Sequence, residues 1–428
     1  MTLKSIANSA EKVLLVGFST DESKRSELII SLNELKELTE TAGGEVIKTV
    51  FQIRNRADSK YLIGAGKLEE IRNICEIEDI SLVIFDEEIS PSQQRNIEKN
   101  LKCRVIDRTA LILDIFAIHA HTSESKLQVE LAKYSYDLPR LKNEGVDYSQ
   151  QVGMIGARGP GETQLELDRR AIKKRISILK EKLKTVENQR KIQGKERGGI
   201  PAVAIIGYTN AGKSSLINLL TGAGAIVEDK LFATLDSTSR KFILPNNKKI
   251  ILTDTVGFIR KLPHQLVEAF KSTLEVVKYA DILLHIVDSS DPNIDLKISA
   301  VYSVLEELKI GNIPTITFFN KCDELNKDDL KIHKLKNQTV NAVIGSVKEN
   351  KNIDILLSKI IEILNKKSVV EEFKIPHSKY YLLSKIFDRI QINKKEYDEE
   401  NVIVEIEGEK EYIEYLRLKL NGNPPEQW

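Results

Sequence analysis

Gly207-Tyr208-Thr209-Asn210-Ala211-Gly212-Lys213-Ser214 is the stretch on which the reading of this 428-residue chain turns. It satisfies G-x-x-x-x-G-K-[ST]. The apolar run Val203-Ala204-Ile205-Ile206 precedes it, and a helical pattern, Ser215-Leu216-Ile217-Asn218-Leu219-Leu220, follows. A strand, a glycine-rich turn and a helix start in that order make a phosphate cradle. Backbone N–H groups approach phosphate oxygens where no Cβ intervenes, and the helix N-terminus adds partial positive charge. Lys213 would direct a point charge at the β and γ oxygens, and the Ser214 hydroxyl stands where one is expected on Mg²⁺.

Three later segments narrow the ligand. Asp254-Thr255-Val256-Gly257 ends the apolar run at 250–252, as expected of a strand delivering a carboxylate to the metal's outer shell. Gly257 can bring its N–H close to a γ-phosphate. Asn320-Lys321-Cys322-Asp323 closes the run at 315–319. An ionised Asp323 only accepts hydrogen bonds, so it suits the adjacent N1–H and N2 amine of guanine. Adenine lacks that donor pair and would leave the carboxylate unpaired. Gly345-Ser346-Val347-Lys348 follows the run at 340–344 and would close over the base. Intervals of 47 and 66 residues separate Gly207 from Asp254 and Asp254 from Asn320, room for further strands and helices. Four motifs at strand ends match binding at the carboxyl edge of a mostly parallel, six-stranded sheet. They predict a domain that binds and hydrolyses GTP.

Between the first two motifs lies Leu231-Phe232-Ala233-Thr234-Leu235-Asp236-Ser237-Thr238-Ser239. A hydroxyl here must reach Mg²⁺ when the γ-phosphate is present. Thr234 is the choice and Thr238 the alternative, with 232–236 lining the nucleotide. Lys213, Thr234 and Gly257 are the expected catalytic groups. Phe258 follows Gly257 where some GTPases place a water-orienting Gln, and a phenyl ring does no acid–base work. Intrinsic turnover should be slow and raised by a partner. The Asn210 amide oxygen could hold K⁺, supplying charge that an arginine finger gives elsewhere.

Bulk properties exclude several classes. Lys and Arg number 64 against 63 Asp and Glu, so no global field recruits nucleic acid or membrane, and any polyanion contact is local. Three scattered cysteines, Cys75, Cys103 and Cys322, offer neither disulfide framework nor zinc site and suit a reducing cytoplasm. The first ten residues lack a secretory core and no apolar run reaches membrane-spanning length. A cytoplasmic monomer without stable membrane insertion is expected.

The organisation reads as four parts. Residues 1–140 alternate strand and helix patterns and predict a small parallel α/β domain. Residues 141–199 combine a glycine-rich loop with a basic helical hairpin. Residues 200–367 form the nucleotide domain, and 368–428 a small α+β domain with a helix over 379–390. In the second part, Val152-Gly-Met-Ile-Gly-Ala-Arg-Gly-Pro-Gly161 predicts a mobile loop presenting Arg158. Then Ile172, Ile176, Leu179, Leu183 and Val186 step by 4, 3, 4 and 3, the seam of a hairpin whose partner is the stretch 123–138. Twelve Lys and Arg face six Asp and Glu between 162 and 199. A solvated charged face is the plain reading. A local surplus in a near-neutral chain, beside Arg158, also suits a phosphate backbone, with Arg169, Arg170, Lys173, Lys174 and Arg175 as RNA-binding candidates. His119 and His121 read as helix-surface or core residues rather than ligands.

Three blocks carry a family resemblance: Ile155-Gly-Ala-Arg-Gly-Pro-Gly-Glu-Thr-Gln-Leu-Glu166 with Asp168-Arg-Arg170; the phosphate loop through Ser215; and Leu231-Phe-Ala-Thr-Leu-Asp236. With these the chain resembles HflX, a translation-factor-related GTPase family, over about residues 12–366. The resemblance implies binding to the large (50S) ribosomal subunit and its rRNA, splitting or rescue of stalled ribosomes, GTP control of the bound state, and Mg²⁺ on Thr234. Ser237 departs from a common Pro, and Val152 and Met154 replace part of a usual glycine run. A competing reading is a GTPase acting on a protein or membrane partner through a coiled coil. A third, an RNA-modifying enzyme, finds no nucleophile or metal cluster in the first domain.

Overall fold

The computed structural model describes residues 10–143, 160–195, 200–222, 231–232, 238–261, 266, 275–310, 313–325, 339–366, 368–386, 390–398 and 400–420. The chain divides into two units. One holds residues 1–186 with 228–236 and 259–272; the other holds 187–227, 237–258 and 273–428.

In the first unit, β1 (Glu11–Ser19), β2 (Gly44–Ile53), β3 (Leu82–Phe85) and β4 (Arg104–Asp107) form a parallel sheet in the order β2-β1-β3-β4. All four residues of β3 are buried, the continuous apolar pattern of a strand covered on both faces. The covering helices are α1 (Arg25–Thr41), α2 (Ala65–Glu78), α3 (Pro91–Leu101) and α4 (Arg108–His119). Leu28, Leu32, Leu35 and Leu38 give α1 its buried stripe at helical spacing. Ser90 and Gln93 close a capping box around Pro91, fixing where α3 begins.

α5 (Ser123–Asp137) and α6 (Pro160–Lys195) follow. Leu179 and Leu183 of α6 bury against Leu131 of α5, with Leu127, Tyr134 and Ile176 at the margin. Arg175 pairs with Glu130 at 2.7 Å. The middle of the apolar seam read from the sequence, Ile176, Leu179 and Leu183, is therefore packed on the chain's own α5. One expectation is corrected: Pro160 and Gly161, assigned to the glycine loop, belong to α6. Proline at a first helical position loses no hydrogen bond the helix would have made. The remainder of that loop, with Arg158, lies outside the described residues.

The second unit carries a six-stranded sheet in the order β10-β9-β8-β5-β7-β6. Its members are β5 (Ala202–Gly207), β6 (Ser239–Ile243), β7 (Lys249–Asp254), β8 (Ile282–Asp288), β9 (Thr315–Asn320) and β10 (Ala342–Ile344). All pairs are parallel except β6 with β7. β5 lies between β7 and β8, so successive connections leave it in opposite directions. That reversal opens a crevice at its carboxyl end. α7 (Lys213–Thr221), α8 (Ile294–Glu307) and α9 (Ile353–Lys366) contribute its helices, and Leu216, Ile217, Leu356 and Ile360 join the core.

The same unit ends in an antiparallel sheet, β11-β13-β12, from β11 (Ser368–Pro376), β12 (Ile390–Tyr397) and β13 (Asn401–Glu409), with α10 (Tyr381–Ile386) and α11 (Lys410–Leu420). The helix expected over 379–390 is corrected here. It is described only to Ile386, and Ile390 begins β12, paired with Gly408. Ile390 and Ile392 share one face of that strand, a period-two placement that helical spacing obscures.

Candidate nucleotide site

The turn after β5 is shaped by close approach. A Cβ on Gly207 would run into the Ile286 carbonyl oxygen of β8, and one on Gly212 into the Asn320 amide. Gly212 also lies at φ +95°, where glycine is favoured. α7 starts at Lys213, so its unpaired N–H groups face the turn.

Asn320 holds this turn to the base-side loop. Its Nδ2 donates to Ala211 O at 2.9 Å, and its Oδ1 accepts the Val347 N–H at 3.0 Å. One buried side chain thus joins the first, third and fourth motifs. Lys321 pairs with Asp288 at 2.7 Å, and the Cys322 N–H donates to Gly345 O at 3.2 Å. Ser346, fully buried, hydrogen-bonds the Asp323 carboxyl and keeps it below the usual carboxylate range, while burial opposes. The other oxygen, Asp323 Oδ1, is buried with no partner. An acceptor held ionised with one oxygen unspent is what a guanine edge would need. Val347 is buried and Lys348 exposed.

On the phosphate side, Lys213 is wholly buried, its Nζ donating to Tyr208 O at 2.7 Å. Burial pushes its ammonium down to about 8, against the opposing field of Asp254. Ser214 Oγ donates to Asp254 Oδ2 at 3.2 Å, and Asp254 Oδ1 is buried and unpartnered. Burial raises the Asp254 carboxyl, while Lys213 opposes. A serine hydroxyl beside a carboxylate with a free buried oxygen is a donor set that fits Mg²⁺ and its water shell. Thr255 is directed away from this chemistry, its hydroxyl donating to Ile205 O at 2.7 Å. Gly257 lies against the loop: a Cβ there would sit 2.8 Å from Thr209 Cγ2 and 3.1 Å from Lys213 Nζ. Phe258 is buried, its carbonyl accepting the Thr209 N–H at 2.9 Å and its N–H donating to Gly207 O at 3.1 Å. Asn210 takes φ +60° and is exposed, with Val256 and Ala211 buried. Ser215 is half-buried in the first turn of α7.

The structure thus brings together Gly207 to Ser215, Asp254 to Gly257, Asn320 to Asp323 and Ser346 to Lys348. Phe232 belongs to the first unit, where its ring packs edge-on against Phe116 at 4.7 Å. Ala233, Thr234, Leu235 and Asp236 lie outside the described residues. The alternative hydroxyl, Thr238, precedes β6, and its carbonyl accepts the Asp254 N–H at 2.9 Å. Of the RNA candidates, Arg169, Lys173 and Lys174 lie exposed on α6, while Arg170 bonds Glu166 at 2.6 Å and Arg175 bonds Glu130.

Two features were missed from sequence. His285, on β8, is buried with Nδ1 unpartnered, its ring edge-on to Tyr302; burial, aided by Lys213, lowers it to about 4. Lys297 of α8 lies 4.8 Å over the Tyr208 ring. A lone His in an apolar run and a Lys 89 residues from its partner ring leave no sequence signal.

This fold and site define a P-loop GTPase, a protein that binds GTP and GDP and hydrolyses GTP. Three family models match in succession: "GTP-binding GTPase N-terminal" over 30–117, "GTP-binding GTPase Middle Region" over 119–197 and "50S ribosome-binding GTPase" over 202–321. The GTPase HflX of Caldanaerobacter subterraneus subsp. tengcongensis is 45% identical over 424 residues, covering 97% of this chain and 95% of its own. That of Escherichia coli K12 is 39% identical over 414 residues, 96% of each. A GTP-binding protein from Sulfolobus solfataricus, crystallised with GDP, is 30% identical over 83% of this chain and 99% of its own, with a TM-score of 0.43. The chain belongs to the HflX family of GTPases.

Proposed function

We propose that this GTPase is a cytoplasmic switch on the large (50S) ribosomal subunit, contacting rRNA through α6 and splitting or rescuing stalled ribosomes. The observation that carries the reading is the exposed basic row Arg169, Lys173 and Lys174, on a helix whose apolar residues Ile176, Leu179 and Leu183 are already packed on α5. The match to a family described as a 50S ribosome-binding GTPase supports it. The competing reading, a protein or membrane partner engaged by a coiled coil, needs that seam free. Among the described residues no helix is long and apolar enough to cross a membrane.

In this reading Ser214 and Thr234 ligate Mg²⁺, Asp254 holds its outer shell, and the metal would offset charge on the phosphates. Lys213 contacts the β and γ oxygens, Gly257 answers the γ-phosphate with its N–H, and Asp323 reads guanine. Thr234 releases its loop after hydrolysis. Phe258 offers nothing to orient water, so turnover is slow until the ribosome orders the site. Asn210 holds K⁺ beside the phosphates. Hydrolysis is then faster in K⁺ than in Na⁺ at equal ionic strength, and equal rates would remove the potassium role.

Co-sedimentation with purified 50S and 70S particles tests the whole. Binding should be tighter with a non-hydrolysable GTP analogue than with GDP, and should weaken steeply as salt rises. Lys173→Glu with Lys174→Glu should weaken it without changing nucleotide affinity. Equal binding in both nucleotide states, or salt-insensitive binding, contradicts the proposal.

A further inference from the structure

Thr209 Oγ1 and His285 Nδ1 are buried and find no hydrogen-bond partner among the described residues, and the two residues line one cavity of the second unit. Thr209 is the third residue of the phosphate loop and 5% exposed; His285 stands midway along β8 and is 1% exposed. The His285 ring is held edge-on against Tyr302, with centroids 5.6 Å apart. Tyr208, Ile286, Val287 and Ile294 make up much of the remaining wall. The space offers about 10 Å³ to the centre of a water-sized molecule. That is room for one water and nothing larger.

A buried polar group left unpaired is costly, so such groups bond to protein or to ordered water. The two atoms do not bond each other, and a water between them would satisfy both. A water and a threonine hydroxyl each donate and accept, whereas an imidazole nitrogen does one or the other according to tautomer. The arrangement therefore works whichever ring nitrogen carries the proton. Burial, aided by the nearby Lys213 ammonium, lowers His285 to about 4 and keeps the ring neutral at pH 7. The same ammonium opposes a cation in the cavity, and the volume excludes a polyatomic anion.

The loop is closely fitted to β8 at this point. Ile206 is in register with His285, and one residue on, the Ile286 carbonyl leaves no space for a Cβ on Gly207. Tyr208 O then accepts Lys213 Nζ at 2.7 Å, and the Thr209 N–H donates to Phe258 O at 2.9 Å. The Thr209 backbone is thus tied to Phe258, and its hydroxyl is the group that can tie it to β8. We propose that one water molecule binds between Thr209 Oγ1 and His285 Nδ1, and that through it His285 is a positioning residue that pins the phosphate loop to β8. A loop pinned in advance need not be ordered when nucleotide binds, so affinity for every nucleotide gains. The inference rests on Gly207 to Ser214 being the loop that holds phosphates.

A high-resolution crystal structure of the wild type with GDP should show one water within about 3.2 Å of both atoms. A direct bond between them, or no water touching both, overturns the inference. Affinities for GDP and a non-hydrolysable GTP analogue are then compared in full-length wild type, Thr209→Val, His285→Phe, the double variant and His285→Asn. Thr209→Val removes the hydroxyl and keeps the methyl group that lies beside Gly257. Thr209→Val and His285→Phe should each weaken both nucleotides by about five-fold or more, the scale of ordinary coupling between sites. The double variant should bind no worse than the weaker single variant, because both break one link; losses that add in full overturn the inference. His285→Asn, whose amide keeps a polar atom near the Nδ1 position, should recover most of the loss. A merely structural histidine would lower the melting temperature of His285→Phe and leave nucleotide affinity alone. Should His285→Phe unfold, Thr209→Val decides, and unchanged affinity there overturns the inference. Wild type that binds neither nucleotide fails the loop assignment; wild-type binding with unaltered variants fails the water link alone.

Discussion

At the residue scale, the site is a set of buried polar atoms whose charge is set by what surrounds them. His285 makes this measurable. Its folded value, about 4, lies below the ordinary 6.5 because burial excludes the imidazolium. Between those values the unfolded chain binds a proton that the native protein does not. Stability is therefore full above pH 6.5 and is lost as pH falls toward 4, by about 3 kcal/mol from this group. Urea unfolding across pH 4–7 should show that slope, and His285→Gln should flatten it; an equal slope in both proteins refutes the assignment. Nucleotide-facing residues were legible because each motif is contiguous and each follows an apolar run. His285 was not, since its burial depends on β5 and β9 flanking β8. Nor was the pairing of Lys261 with Asp86, 175 residues earlier.

At the element scale, the hairpin and the edges of the sheets behave differently. The 4, 3, 4, 3 spacing of α6 could be read directly, because a helix writes its buried face into local sequence. Leu179 is fully buried there and Leu167, a few turns earlier, is 57% exposed. Leu179→Ala should therefore cost about 2–5 kcal/mol, and Leu167→Ala within about 0.5 kcal/mol of nothing. Chemical denaturation of both variants checks this; equal losses would show that α6 does not pack on α5 as described. β6 escaped the sequence reading because it is an edge strand with alternating exposed and half-buried residues and no apolar run. β12 escaped for a related reason: Lys394, Lys395 and Glu396 stand exposed in succession, so no apolar alternation marks that part of the strand.

At the scale of the whole molecule, order in the sequence became order in space. The phosphate, metal, base and closing motifs follow one another along the chain and meet at the carboxyl edge of one sheet, because parallel strands all end there. Asn320 joins three of them through two hydrogen bonds. The basic surplus of α6 likewise could be counted in sequence, whereas which charges are already engaged, Arg170 and Arg175 among them, required the fold. The central claim is that the Asp323 carboxylate, with its buried Oδ1 left without a partner, selects guanine and thereby ties every later event to GTP. Its most direct test is the affinity of wild type and Asp323→Asn for guanosine and xanthosine nucleotides, measured with Mg²⁺ present. The account predicts that the variant loses guanosine binding by at least about 100-fold and gains xanthosine binding. A variant that still prefers guanosine by the wild-type margin would contradict it.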